Sequence, residues 1–159
     1  MKRHLFLTGE KGVGKSTLLN KLLQNDPRKK GGFLTKRLLS EEDGLMYTHL
    51  LKPGEKPSRE NILFCCNGPD LYDPIQRFEE LGLAALSEEC ELILMDELGP
   101  HEEQALRFQQ AVFEILDKEI PVRGVLQKAD SAFLDRIAAH PQVEVMEVTL
   151  ENRDFLFTE

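Results

Sequence analysis

The stretch Gly9-Glu10-Lys11-Gly12-Val13-Gly14-Lys15-Ser16-Thr17 constrains this chain more than any other. It reads G-x-x-x-x-G-K-S-T, the Walker A pattern of a phosphate-binding loop. Its flanks are the ones such a loop needs. Arg3-His4-Leu5-Phe6-Leu7-Thr8 before it is an apolar, strand-like run, and Ser16 to Leu23 after it is helical, with leucines at 18, 19, 22 and 23. Gly9, Gly12 and Gly14 let the backbone take positive φ and approach an anion. The loop amides and the positive end of the helix dipole then converge on phosphate oxygens. All nine residues form the expected nucleotide-binding set. Lys15 is expected to bridge the β- and γ-phosphates, and the Ser16 hydroxyl to hold a magnesium ion. Thr17 is expected to line the α-phosphate or cap the helix.

A second stretch completes this chemistry. Leu92-Ile93-Leu94-Met95 is continuously apolar, as in a central parallel strand covered on both faces, and it ends in Asp96-Glu97. This is the Walker B pattern. In an open α/β sheet, strand ends beside the glycine loop hold the ligand. Asp96 would steady the magnesium ion through its water shell. Glu97 would orient or deprotonate the attacking water. Gln127-Lys128-Ala129-Asp130 differs at one position from Asn-Lys-x-Asp, a guanine-reading pattern. The missing Asn and the position before a helix favour Asp130 as a helix cap instead.

Charge narrows the partners. The 159 residues carry a formal net charge of −8, so an extended nucleic-acid surface is not expected and an anionic ligand must be held locally. No apolar run approaches the ~20 residues of a membrane span. The N-terminus enters the first strand directly, which leaves no room for a signal peptide and makes the cytoplasm the expected location. Cys65, Cys66 and Cys90 fit no zinc spacing. Adjacent Cys65 and Cys66 should point to opposite sides of a strand, as inert thiols.

The rest of the chain reads as one domain, residues 1–159, without repeats. Residues 25–32 form a polar breaker loop. Residues 32–39 and 45–51 form an antiparallel hairpin through the Asp43-Gly44 turn. Residues 52–59 are read as a solvated connector rather than a flap bringing Lys56 or Arg59 to a phosphate. Asp73-Pro74 opens a helix with Ile75, Phe78, Leu81, Leu83, Ala85 and Leu86 inward and a weak point at Gly82. A long helix over Glu102 to Lys118 buries Ala105, Leu106, Phe108, Val112, Phe113, Ile115 and Leu116. A strand over 121–127, a helix over 132–139 capped by Asp130-Ser131, and a strand near an edge over 143–148 follow.

Taken together, four stretches resemble the THEP1 family of nucleoside-triphosphatases: the glycine loop, Gly31-Gly32-Phe33-Leu34-Thr35, Asp96-Glu97-Leu98-Gly99-Pro100-His101-Glu102, and the tail Val145-Met146-Glu147-Val148-Thr149-Leu150-Glu151-Asn152-Arg153-Asp154. The order and spacing hold over nearly the whole chain. The resemblance implies a P-loop NTPase fold: an α/β domain with a mixed, mostly parallel sheet, helices on both faces and one antiparallel hairpin. It implies a magnesium-dependent enzyme that converts nucleoside triphosphates such as ATP or GTP to diphosphates, slowly and with loose choice of base. Asp96 and Glu97 fall on the family's Walker B pair, and Glu102 on its second Glu. The chain departs from the family at Lys36-Arg37-Leu38-Leu39, where acidic residues and then Val-Arg are usual, at His101, and at Leu126-Gln127-Lys128. Two other readings share the donor site: a kinase, with Lys36, Arg37, Lys56 and Arg59 binding an acceptor, and a switch that binds nucleotide with little turnover.

Overall fold

The computed structural model describes residues 2–156; residues 1 and 157–159 of the expected domain lie outside the described part. The alternation of apolar side chains along β1 (His4–Thr8) explains the layering. Phe6 joins one core cluster and Leu7 the other, because neighbours in a strand point to opposite faces. The remaining strands are β2 (Lys30–Leu39), β3 (Met46–Leu51), β4 (Ile62–Cys65), β5 (Leu92–Leu98), β6 (Val122–Leu126) and β7 (Val143–Glu147). They form a single sheet in the order β4-β3-β2-β5-β6-β1-β7. All neighbours pair in parallel except β2–β3 and β3–β4, which are antiparallel.

The helices are α1 (Lys15–Leu23), α2 (Pro74–Leu86), α3 (Leu106–Leu116) and α4 (Ala132–Ala138). On one face α1 packs Leu19 and Leu23 against Leu7, Leu92 and Val125. On the other, α2, α3 and α4 bury Phe78, Phe108 and Phe133 against Phe6, Phe33 and Met95. Burying both faces is what makes Leu5 to Leu7 of β1 and Leu92 to Met95 of β5 read as unbroken apolar runs. No helix among the described residues is long and apolar enough to cross a membrane.

Several expectations change in physical detail. Gly31 and Gly32 lie inside β2 rather than in the preceding loop. Gly32 has φ +84°, and a Cβ there would sit 2.0 Å from the Leu94 carbonyl oxygen, so the backbones touch where a side chain would separate them. Gly82 is a packing device: a Cβ would lie 2.4 Å from the Phe108 ring, which fills that space. The long helix starts only at Leu106. Pro100–Gln104 is a 3-10 turn, because the Glu102 carboxylate folds back to accept from the Gly99 N–H at 2.8 Å. Gln109 holds that turn by donating to the carbonyls of Glu102 and Glu103 at 2.7 and 2.8 Å. Leu106 is consequently 69% exposed and not a core residue. Ser131 caps α4, accepting from the Leu134 N–H, while Asp130 is exposed. Cys65 is buried and Cys66 exposed, as strand alternation requires.

His4 anchors the other end of the sheet. Its Nδ1 accepts from the Val122 N–H at 3.0 Å and its Nε2 donates to the Leu116 carbonyl at 2.9 Å. Both ring nitrogens are spent on backbone groups, which fixes a neutral tautomer in the core. Burial pushes its pKa below the ordinary histidine value.

Candidate active site

The glycine loop joins β1 to α1 with Gly9, Gly12 and Gly14 at φ +150°, +83° and +95°. Gly9 is further pinned by space, since a Cβ would meet the Val148 carbonyl oxygen at 2.3 Å. Lys15 curls over the loop and donates to the Gly9 carbonyl at 2.7 Å. Gly14 is the N-cap of α1 without a side-chain capping bond, so Thr17 does not cap the helix; it is exposed to the cleft. Val13 is only 7% exposed and its side chain packs in the α1-side core, leaving its main chain as its contribution to the loop.

The strand topology brings the acidic pair to this loop. Only β6 separates β5 from β1. Asp96 points to the α1 face, where its Oδ1 accepts from Ser16 Oγ at 3.0 Å. Strict alternation would send Glu97 to the opposite face. The pairing with β6 instead shifts between Asp96 and Leu98, leaving Glu97 unopposed, and such an irregularity re-aims a side chain. Glu97 therefore reaches the same cleft, its Oε1 accepting from Gln127 Nε2 at 2.7 Å. The cleft has a volume of about 560 Å³. Its walls are the loop residues apart from Val13, Arg37 from β2, Glu97, and Gln127 and Lys128 after β6.

Electrostatics sets Asp96 apart. Burial pushes the Asp96 pKa up to about 6; the neighbouring charge of Glu97 adds to this, while the Ser16 hydrogen bond and Lys15 oppose it. A half-desolvated carboxylate beside a hydroxyl is short of a cation. The Ser16 and Asp96 oxygens form the hard donor set that magnesium prefers. Among the described residues no cluster of three or more His, Cys, Asp or Glu could hold an ion.

Residues 4–159 match a family model described as NTPase. The chain belongs to this NTPase family. A nucleoside-triphosphatase THEP1 of Thermotoga petrophila is 31% identical over 163 aligned positions, spanning 98% of this chain and 89% of its own. The solution structure of a human cancer-related nucleoside triphosphatase matches with a TM-score of 0.64 at 27% identity, covering 97% of this chain and 93% of that one. The crystal structure of THEP1 from Aquifex aeolicus matches with a TM-score of 0.73 over 96% of this chain and 94% of that one; at 24% identity it speaks for the fold.

The segments that carried the THEP1 resemblance have visible structural reasons. Glu102 is only 3% exposed and caps the Gly99 N–H behind the acidic pair. Burial pushes its pKa up to about 8, so it is largely a neutral acid at pH 7. The tail folds as a turn in which Thr149 and Asn152 exchange hydrogen bonds at 2.8 and 3.1 Å, and Asn152 also donates to the Glu147 carbonyl at 3.0 Å. This turn sets Arg153 behind the glycine loop, 3.4 Å from the Val13 carbonyl.

The other cations divide. Lys128 pairs with Glu10 at 3.3 Å and Glu147 at 3.4 Å at the cleft rim. Arg59 lines a separate cleft beside Tyr47 and His49, and neither it nor Lys56 lines the glycine-loop cleft. Asp130 is not part of the cleft wall either. Arg37 is the cation that sequence reasoning did not place beside the glycine loop. Its signal is its position near the C-terminal end of a strand paired to β5, with Leu34 opposite Asp96, and strand order is not written in a linear sequence.

Proposed function

We propose that this chain hydrolyses nucleoside triphosphates to diphosphates and phosphate with magnesium, with little discrimination between bases. The observation that carries the reading is the 3.0 Å hydrogen bond from Ser16 to Asp96, which joins the glycine loop to the acidic strand end in one cleft. The loop amides from Gly9 to Thr17 hold the phosphates. Lys15 exchanges the Gly9 carbonyl for β- and γ-phosphate oxygens and stabilises the charge that grows there. Ser16, with Asp96 behind it, would hold the magnesium ion, whose chemistry is to neutralise charge shared by the β- and γ-oxygens. Arg37 faces the same cleft and adds a cation. Glu97 accepts a hydrogen bond from the attacking water through Oε2, the oxygen that Gln127 leaves open. The water oxygen bonds to the γ-phosphorus, the bond to the β-bridging oxygen breaks, and the water's proton passes to Glu97.

Loose base choice is supported by what surrounds the loop. The Gln127 amide is committed to Glu97, and Asp130 stands outside the cleft, so the pair that would read guanine is not assembled. Of the four cations that a kinase would offer an acceptor, Arg37 lines the cleft while Lys36, Lys56 and Arg59 do not, so the acceptor site is not assembled as a set.

The test is phosphate release from ATP and GTP by Glu97→Gln, with and without EDTA. Loss of about 100- to 1000-fold is expected in the variant. EDTA should abolish turnover in the parent chain. An unchanged rate in Glu97→Gln removes Glu97 from the mechanism.

A further inference from the structure

Gln127 is held at three points, and all three bear on Glu97. Its backbone N–H donates to the Leu98 carbonyl at 2.8 Å, which ties the end of β6 to the end of β5. Its side-chain Nε2 donates to Glu97 Oε1 at 2.7 Å. Its amide lies against Gly99: a Cβ on that glycine would be 2.6 Å from Cδ, 2.7 Å from Nε2 and 2.9 Å from Oε1. The φ of Gly99 is −141°, extended backbone open to any residue, so its bare Cα is explained by the room the amide needs.

We propose that Gln127 is a positioning residue for hydrolysis: it grips one oxygen of Glu97 and so aims the other at the attacking water, with Gly99 as the seat that keeps the amide in place. This rests on the catalytic role given to Glu97 above. The chemistry suits the task. An amide donor does not ionise, so it holds the carboxylate without competing for the proton that Glu97 must take. A carboxylate held by one oxygen cannot rotate freely about its last torsion, and fixing a base in this way is the sort of orientation that hydrolysis depends on. The arrangement also links two stretches that looked unrelated in sequence, the glycine of Asp96-Glu97-Leu98-Gly99 and the residue following β6.

The experiment is single-turnover phosphate release from ATP by Gln127→Ala, Gln127→Asn and Gly99→Ala, with ATP affinity measured by equilibrium titration and folding by thermal denaturation. Gln127→Ala should lose about 10- to 100-fold in rate at saturating ATP, the scale set by a small misplacement of a reacting group. ATP affinity should stay within about threefold, because the interaction acts on the step and not on binding. Gln127→Asn carries the same amide one methylene short and should also be slow. Gly99→Ala should reproduce the loss by pushing the amide aside, and the double variant Gly99→Ala/Gln127→Ala should be no slower than Gln127→Ala. In a Glu97→Ala background, Gln127→Ala should cost nothing further beyond about twofold, since the two residues act as one unit. If Gln127→Ala does not fold, Gly99→Ala carries the test. Full activity in Gln127→Ala, or the same loss with and without the Glu97 side chain, overturns the proposal. A wild-type rate in Glu97→Ala would instead overturn the catalytic reading on which it rests.

Discussion

Replacing Glu102 by Gln should make this chain more stable at neutral and alkaline pH while changing little in acid. Glu102 is buried behind the acidic pair, and its pKa moves from the ordinary 4.5 to about 8. Between those two values the native state binds a proton that the unfolded chain has given up. Unfolding therefore becomes easier as pH rises through that window, and the group contributes no slope below about 4.5 or above about 8. The difference in pKa is worth about 5 kcal/mol over the whole window, or ~1.4 kcal/mol for each pH step of one. The Glu102 carboxylate also accepts from the Gly99 N–H, and the carbonyl oxygen of a Gln amide can do the same. Glu102→Gln thus copies the protonated acid and has no proton to lose. Its stability should lie within about 1 kcal/mol of the parent at pH 5, exceed it increasingly up to about pH 8, and keep that margin at pH 9. Urea denaturation of both proteins at pH 5, 7 and 9, extrapolated to water, gives the difference directly. Parallel profiles for the two proteins would refute the reasoning, since they would mean that Glu102 is as ionised when folded as when unfolded.

Two further outcomes are accessible without nucleotide. Gly32→Ala should lower stability by about 3 kcal/mol or more, because positive φ is unfavourable for Ala and the new methyl meets backbone, not a side chain that can move; thermal denaturation reads this. The His4 ring should titrate at lower pH than a free histidine, because burial disfavours its charged form, and nitrogen chemical shifts of the imidazole followed against pH report it. Its lowered pKa means that the stability it contributes is present above pH 6.5 and fades as pH falls below that value.

Much of the site was legible in the sequence because its parts are local. The strand, glycine loop and helix from His4 to Leu23 are contiguous, and each glycine at positive φ follows from the need to bring amides to an anion. The run Leu92 to Met95 ending in two acids is likewise local, and burial of both faces of β5 explains why it is unbroken. Where local rules failed, a tertiary contact had taken over a residue with strong local preferences. Gly31-Gly32 reads as a breaker, yet its missing side chains admit Cys90 and the Leu94 backbone. Glu102 and Glu103 read as the acidic first turn of a helix. One instead turns back to Gly99, and the other accepts from the Ser131 hydroxyl and the Phe133 N–H at the start of α4.

The residues whose place was hardest to foresee, Arg37 in β2 and Gln127 just past β6, flank β5 in space but lie about 60 and 30 positions from Asp96 and Glu97 in sequence. The sequence offers Gln127 as part of a near-match to a guanine-reading pattern and Arg37 as a possible acceptor-binding cation, and neither pattern puts them beside Asp96 and Glu97. What marks them is the rule that ligands gather at the carboxyl ends of adjacent parallel strands, and that rule needs the order β2-β5-β6-β1 before it selects any residue. Once that order is known, a side chain at or near the carboxyl end of each strand becomes a candidate: Asp96 and Glu97 in β5, Arg37 in β2, and Gln127 just past β6. The irregular pairing at Glu97 is the remaining step, because it lets two consecutive acids serve one cleft that regular alternation would have split between two faces. If that irregularity is what allows the division of labour, with Asp96 beside Ser16 and Glu97 beside Gln127, then the two carboxylates are held by different neighbours and can be perturbed separately.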